Sequence, residues 1–149
     1  MESKDVFEPE DREQAERPIP MKPIGYVRTS AEQIPRHWSI SREEGDLVIH
    51  EAYREGLRDI APGQRVVVLF HFDRSPAFTS EHLVQTPPRR QVPTGVFSTC
   101  SPIRPNPIGF SVLEVLHREG LVIRVRGIDM LDGTPLLDIK PHIESSEPE

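Results

Sequence analysis

The sequence predicts an all-β chain: a small antiparallel β-barrel with long loops and at most one short helix. Three observations point there. Short apolar or alternating runs recur at close spacing along the chain. Turn chemistry separates them, at Pro62-Gly63, at Arg118-Glu119-Gly120 and at Asp132-Gly133-Thr134-Pro135. Proline accounts for 16 of 149 residues, about twice the usual share of roughly 5%, and proline removes the donors that long helices need. A sheet of short strands buries one face best by closing on itself.

The elements follow in order. Residues 1–20 are charged and nearly free of large apolar groups, and read as a disordered acidic arm. Pro23-Ile-Gly-Tyr-Val-Arg-Thr-Ser30 sets Ile24, Tyr26 and Arg28 against Val27 and Thr29, the alternation of a first strand. Residues 30–46, with Pro35, Trp38 and Gly45, have no period and form a loop long enough to carry function. Leu47 to His50 is a short strand. Tyr53, Leu57 and Ile60 fall on one face of a two-turn helix over 51–60. Arg65 to Phe72 is a continuous apolar run, expected to be a strand buried on both faces. Residues 73–93 form a second, proline-rich loop ending near Arg89 and Arg90. Gly95 to Thr99 is a short strand. Ser111 to Leu116 and Leu121 to Arg126 make a hairpin. Leu136 to Lys140 is the last strand, stopped by Pro141. The barrel domain therefore spans 21–143, and 144–149 is an acidic tail.

Net charge is −6, but the acids sit at the ends. Residues 17–143 hold 16 bases and 14 acids. The body is thus mildly basic, with 15 arginines and 3 lysines in the whole chain. Arginine is the better fork for phosphates and the better stacking partner for bases; codon bias accounts for the same skew. No apolar run approaches the roughly 20 residues that cross a bilayer. The first residues lack the basic and apolar regions of a secretory signal. One cysteine, Cys100, excludes an intrachain disulfide and fits a reducing compartment. A cytoplasmic protein that meets no membrane is expected.

The six histidines form no HxH or HExxH pair and Cys100 has no CxxC partner, so no metal is expected. Neither GxGxxG nor GxxxxGK[ST] occurs, which leaves Rossmann and P-loop readings without support. Two segments resist a purely structural explanation. Ser101-Pro-Ile-Arg-Pro-Asn-Pro-Ile-Gly109 is a rigid loop presenting Arg104 and Asn106, a platform for a preorganised site or a tight crossover whose side chains satisfy loop carbonyls. Asp132 to Pro141 is a polar turn feeding a strand, an exposed site or a plain hairpin.

These two strings, Gly95-Val-Phe-Ser-Thr-Cys-Ser-Pro-Ile-Arg-Pro-Asn-Pro-Ile-Gly109 and Leu131-Asp-Gly-Thr-Pro-Leu-Leu-Asp-Ile-Lys-Pro141, closely resemble the TsaA-like (TrmO) family. Pro23 to Ser30 is similar to that family's first strand, and the resemblance covers about residues 22–143. It implies a homodimeric antiparallel barrel that binds S-adenosylmethionine without a Rossmann fold. The implied activity is N6-methylation of threonylcarbamoyladenosine at position 37 of tRNA. Implied cofactor contacts are His37, Trp38 and Ser39 in the first loop, Phe70 and His71 at the end of the long strand, Cys100, Phe110, and Leu131, Asp132, Gly133 and Thr134. Arg36, Arg104, Asn106 and Lys140 are the expected substrate contacts. Cys100 is the main departure, because the family pattern has arginine there. A thiol cannot neutralise a carboxylate or hold a phosphate. Either Arg36 or Arg104 substitutes, or the pocket has changed its ligand. The alternatives are a non-enzymatic sensor of S-adenosylmethionine or a nucleotide, a methyltransferase with another acceptor, and a cofactor-free RNA-binding barrel. The acceptor nitrogen must lose a proton, for which Asp132 and His71 are the two candidates.

Overall fold

The computed structural model describes residues 16–144. The assignments of 1–20 as an arm and 144–149 as a tail therefore fall mostly outside the described residues; 16–20 are exposed. Eight strands follow in order: β1 (Gly25–Arg28), β2 (Glu44–Ile49), β3 (Arg65–His71), β4 (Val84–Gln85), β5 (Thr94–Gly95), β6 (Ile108–Glu119), β7 (Val122–Arg126) and β8 (Pro135–Pro141). Six of them close a barrel in the order β1-β2-β7-β6-β3-β8. Every pairing in it is antiparallel. Closure leaves these strands without a free edge. β4 and β5 form a separate two-stranded ribbon.

Alternation along each strand fills the interior. Val27, Leu47, Ile49, Val66, Val68, Phe70, Leu113, Val115, Ile123, Val125 and Leu136 point inward and are buried. Leu57, Ile128 and Met130 seal the ends of the same cluster. The β6–β7 hairpin turns at Gly120, whose φ of 58° is costly for a side-chain-bearing residue. A salt-bridged ladder crosses the outer face of the hairpin and β2: Arg28 and Arg124 both donate to Asp46, and Arg126 donates to Glu114. Most of these partners are half-exposed, so each pair adds little stability.

Three expectations change. β3 is not buried on both faces: Val66, Val68 and Phe70 are inside, whereas Val67 and Leu69 are only half-buried. A wall strand of a barrel has one covered face, and an unbroken apolar run hides that. The segment after His50 is a 3-10 helix over Glu51–Leu57, with Leu57 its buried residue, and three further 3-10 turns lie at Trp38–Ile40, Ser80–Leu83 and Val96–Ser98. The strand expected over 95–99 shrinks to Thr94–Gly95. Beyond Gly95 the chain has no partner strand, and Thr99 Oγ1 donates back to the Val96 carbonyl to hold the turn instead. At the end of the described residues, Glu144 is paired with Arg65 at 3.0 Å and His142 at 3.1 Å.

Candidate functional site

A cavity of about 500 Å³ opens at the end of the barrel where β3 finishes and β6 and β8 begin. Its position follows from register. Phe70 pairs with Gly109 of β6 and with Leu136 of β8. The walls come from residues 72–75 after β3, from Thr99, Cys100, Pro102 and Arg104 before β6, from Asp129, Met130, Leu131 and Thr134 before β8, and from residues 34–37 of the β1–β2 loop. A register shift between Leu69 and Phe70 leaves Leu137 without a partner on β3. Such a bulge bends the strand beside the cavity.

Phe70 forms the floor. Its ring is 2% exposed and meets Phe72 edge-on at 5.1 Å. Gly109 lies against the ring so closely that a methyl group there would fall 2.2 Å from Cζ. Glycine is thus required at 109 by contact with Phe70, not by backbone conformation. Ile108, Phe110 and Leu131 line the mouth with apolar surface that solvent still reaches.

Arg74 joins two walls. Its Nη2 donates to the Asp132 carbonyl at 2.7 Å and to Thr134 Oγ1 at 3.3 Å. Thr134 Oγ1 in turn donates to the Leu131 carbonyl at 2.7 Å. The 131–134 turn is thereby fixed to the segment after β3. On the opposite side, Arg104 Nη1 donates to the carbonyls of Thr99 and Ser101, each at 3.0 Å. This matches the crossover alternative, in which the guanidinium satisfies a proline-rich loop short of donors. Gln85 supports the same loop through the Ile103 carbonyl. Cys100 is exposed and lines the cavity.

Asp129 is a half-buried carboxylate of the wall. Its Oδ1 accepts from Ser111 Oγ at 2.6 Å, and Ser111 is fully buried. Burial raises the Asp129 pKa above the ordinary aspartate range; the Ser111 and Trp38 hydrogen bonds and the nearby His37 oppose that shift without cancelling it. His37 Nδ1 is paired with Ser39 Oγ at 2.6 Å.

Of the expected contacts, His37, Phe70, Cys100, Phe110, Leu131 and Thr134 line the cavity, as do Arg36 and Arg104. The remainder do not. Trp38 packs on the barrel core behind the wall, and Ser39 is exposed beside His37. His71 follows Phe70 on β3, so its side chain leaves from the other face of the strand. Gly133 is a turn residue, φ 83°, whose N–H donates to the Val27 carbonyl. Asn106 contributes its carbonyl to the Ile108 N–H. Lys140 lies away from the cavity. It pairs in register with Val67, toward the far end of β3, and forms an ion pair with Asp138 at 2.8 Å. There it borders a second cleft with Arg65 and His142.

Asp132 is likewise occupied elsewhere, with Oδ1 accepting the Thr29 N–H at 2.9 Å. Asp132→Ala is expected to lower stability by about 1–2 kcal/mol, as for loss of a charge-assisted hydrogen bond. Ligand affinity should change much less, and thermal denaturation with ligand titration separates the two. The reading from residues alone missed Asp129, Arg74 and Phe72. The available signal was Asp129-Met-Leu-Asp132: two carboxylates three residues apart, only one of which the 131–134 turn needs.

The model of the family described as "tRNA-methyltransferase O N-terminal domain" matches residues 26–147. The chain belongs to that family. A "Probable S-adenosyl-L-methionine-binding protein" of Archaeoglobus fulgidus is 38% identical over 127 residues, covering 83% of this chain and 34% of that protein. The "tRNA (adenine(37)-N6)-methyltransferase" of Homo sapiens is 46% identical over 130 residues, covering 82% of this chain and 30% of that protein. A crystal structure of TrmO from Pseudomonas aeruginosa superposes with a TM-score of 0.69 at 31% identity, over 89% of this chain and 58% of that one. The chain thus spans about a third of these two curated relatives. In this tRNA-methyltransferase O N-terminal domain the barrel, the cavity and both motifs are present. Among the described residues no helix is long and apolar enough to cross a membrane.

Proposed function

We propose that the chain is an S-adenosylmethionine-dependent methyltransferase acting on N6 of adenosine 37 in tRNA, with threonylcarbamoyladenosine as acceptor. The observation that carries this reading is the cavity itself. Both motifs converge on it, and its lining combines apolar surface with guanidinium and carboxylate groups. That donor set fits a ligand made of an aromatic base, a cationic centre and an amino-acid end. The names of the relatives above support the same choice.

Bound S-adenosylmethionine would supply a methyl group already activated on a sulfonium. The chain's own residues bind, orient and exclude water. Ile108, Phe110 and Leu131 offer apolar surface to the adenine. Arg36 and Arg74 are guanidiniums on the cavity suited to the carboxylate, and Asp73 is an acceptor suited to the ammonium or a ribose hydroxyl. Arg36 makes no hydrogen bond or ion pair among the described residues, so it is also available to an RNA phosphate. The walls would orient donor and acceptor and so lower the entropic part of the barrier.

A second reading is favoured by Cys100, which occupies the cavity where the family pattern has arginine. A sensor would keep the ligand and lose the chemistry. Calorimetry with S-adenosylmethionine and S-adenosylhomocysteine, followed by methyl release with bulk tRNA, separates the readings. Binding with turnover supports the methyltransferase. Binding without turnover supports the sensor or another acceptor, and tRNA binding without either ligand supports an RNA module.

A cytoplasmic homodimer completes the proposal. The β4–β5 ribbon and the 3-10 turns flanking it expose Leu83, Val84 and Phe97, the last at 80%. A side chain as large as Phe97 left that bare suits an isologous contact. Light scattering is expected to return twice the chain mass at micromolar concentration; the mass of one chain would refute the dimer.

A further inference from the structure

We infer that Asp129 is the proton acceptor for the methylated nitrogen. This assignment rests on the methyl-transfer reading and deepens it. Neither group suggested by the residues alone is placed for the task. Asp132 accepts the Thr29 N–H, and His71 leaves from the strand face opposite Phe70. Asp129 lines the cavity, its Oδ1 accepts from Ser111 Oγ at 2.6 Å, and the Trp38 N–H faces it. An ionised carboxylate accepts about four hydrogen bonds, so acceptor capacity remains for a ligand N–H.

Three elements hold the group still. Ser111 belongs to β6, Trp38 to the 3-10 turn over 38–40, and Asp129 to the segment leaving β7. The ionisable neighbours on the same cavity are His37 before the turn, Asp73 and Arg74 after β3, Cys100 and Arg104 on the proline-rich loop, and Arg36. Of these, His37 acts on the Asp129 charge, favouring the anion against burial. A carboxylate whose basicity is increased by burial is a better match for an N–H than a solvated one. The carbamoyl beside N6 acidifies that N–H, so a carboxylate suffices.

The step balances. A bond forms from the acceptor nitrogen to the methyl carbon as the carbon–sulfur bond breaks, its electron pair remaining on sulfur. The N–H proton passes to the Asp129 carboxylate. The resulting neutral acid returns it to solvent after the products leave.

The test uses Asp129→Asn, which keeps an oxygen acceptor for Ser111 and Trp38. We expect kcat on tRNA to fall about 100-fold or more, the usual worth of a positioned base, while calorimetric affinity for S-adenosylmethionine stays within about threefold. In the wild type, log kcat/KM on tRNA, which reports the free enzyme, should rise with pH at unit slope while Asp129 loses its proton. That midpoint should coincide with the Asp129 carboxyl titration followed by carbon NMR in the ligand-free protein, displaced upward from 3.8. Both wild-type measurements need no variant. Near-normal kcat in Asp129→Asn overturns the assignment, as does an ordinary aspartate titration. A loss of S-adenosylmethionine affinity that accounts for the whole loss of rate also overturns it, making Asp129 a cofactor anchor. A wild-type chain that binds no S-adenosylmethionine overturns the methyl-transfer reading itself.

Discussion

Phe70→Ala is expected to destabilise the barrel by about 3–5 kcal/mol, the range for deleting a buried aromatic ring, and to abolish cofactor binding. The ring is simultaneously core and cavity floor: it is 2% exposed, meets Phe72 edge-on, and sets its tip against Gly109. Gly109→Ala should cost about 1–3 kcal/mol by overpacking, because the new methyl would meet three ring carbons at 2.2–2.8 Å. The double variant carries the sharper expectation. With the ring gone the methyl has room, so the two losses should sum to more than the double variant shows. Strict additivity in chemical denaturation would mean that the contact is not what makes residue 109 glycine.

Gly25→Ala is the second large effect. A Cβ at 25 would lie 2.0 Å from the Val48 carbonyl oxygen and 3.0 Å from Ile49 Cα. These are backbone atoms and cannot swing aside as a flexible side chain does. Gly25 also sits where the barrel closes, paired with Ile49 on one side and Leu136 on the other. Separating β1 from β2 there costs the hydrogen bonds that neighbouring residues contribute, including His50 N–H to Ile24 O. A loss of about 3 kcal/mol is expected, or about 6–12 °C in Tm for a chain of this size at roughly 2–4 °C per kcal/mol. Gly95→Ala is the matched control: no atom lies within 4 Å of its Cβ position, and its Tm should not move.

The sequence by itself determined the strands of the barrel and the turns between most of them. A half-covered strand needs period-two alternation, and β1, β2 and β7 each display it. Gly120 and Pro62-Gly63 mark turns because few other residues adopt those backbones. The two motif strings located the segments around the cavity, since rigid proline and Asp-Gly chemistry is local. What tertiary structure alone decided is which side chains those segments turn inward. One motif enters the cavity at Leu131 and Thr134 and leaves it along β8. A strand advances about 3.3 Å per residue, so Lys140 ends far from Thr134. Val67 and Leu69 look as apolar as their buried neighbours, and only barrel closure shows that they face outward. Asp129 and Asp132 are indistinguishable in the string. Asp129 meets the cavity because Ser111, 18 residues upstream on β6, and the Trp38 N–H, from a loop about 90 residues away, hold it there. Asp132 is occupied by Thr29, 103 residues distant in the chain. Hydrogen bonds across such separations exist only once the barrel has closed, so no local pattern records them.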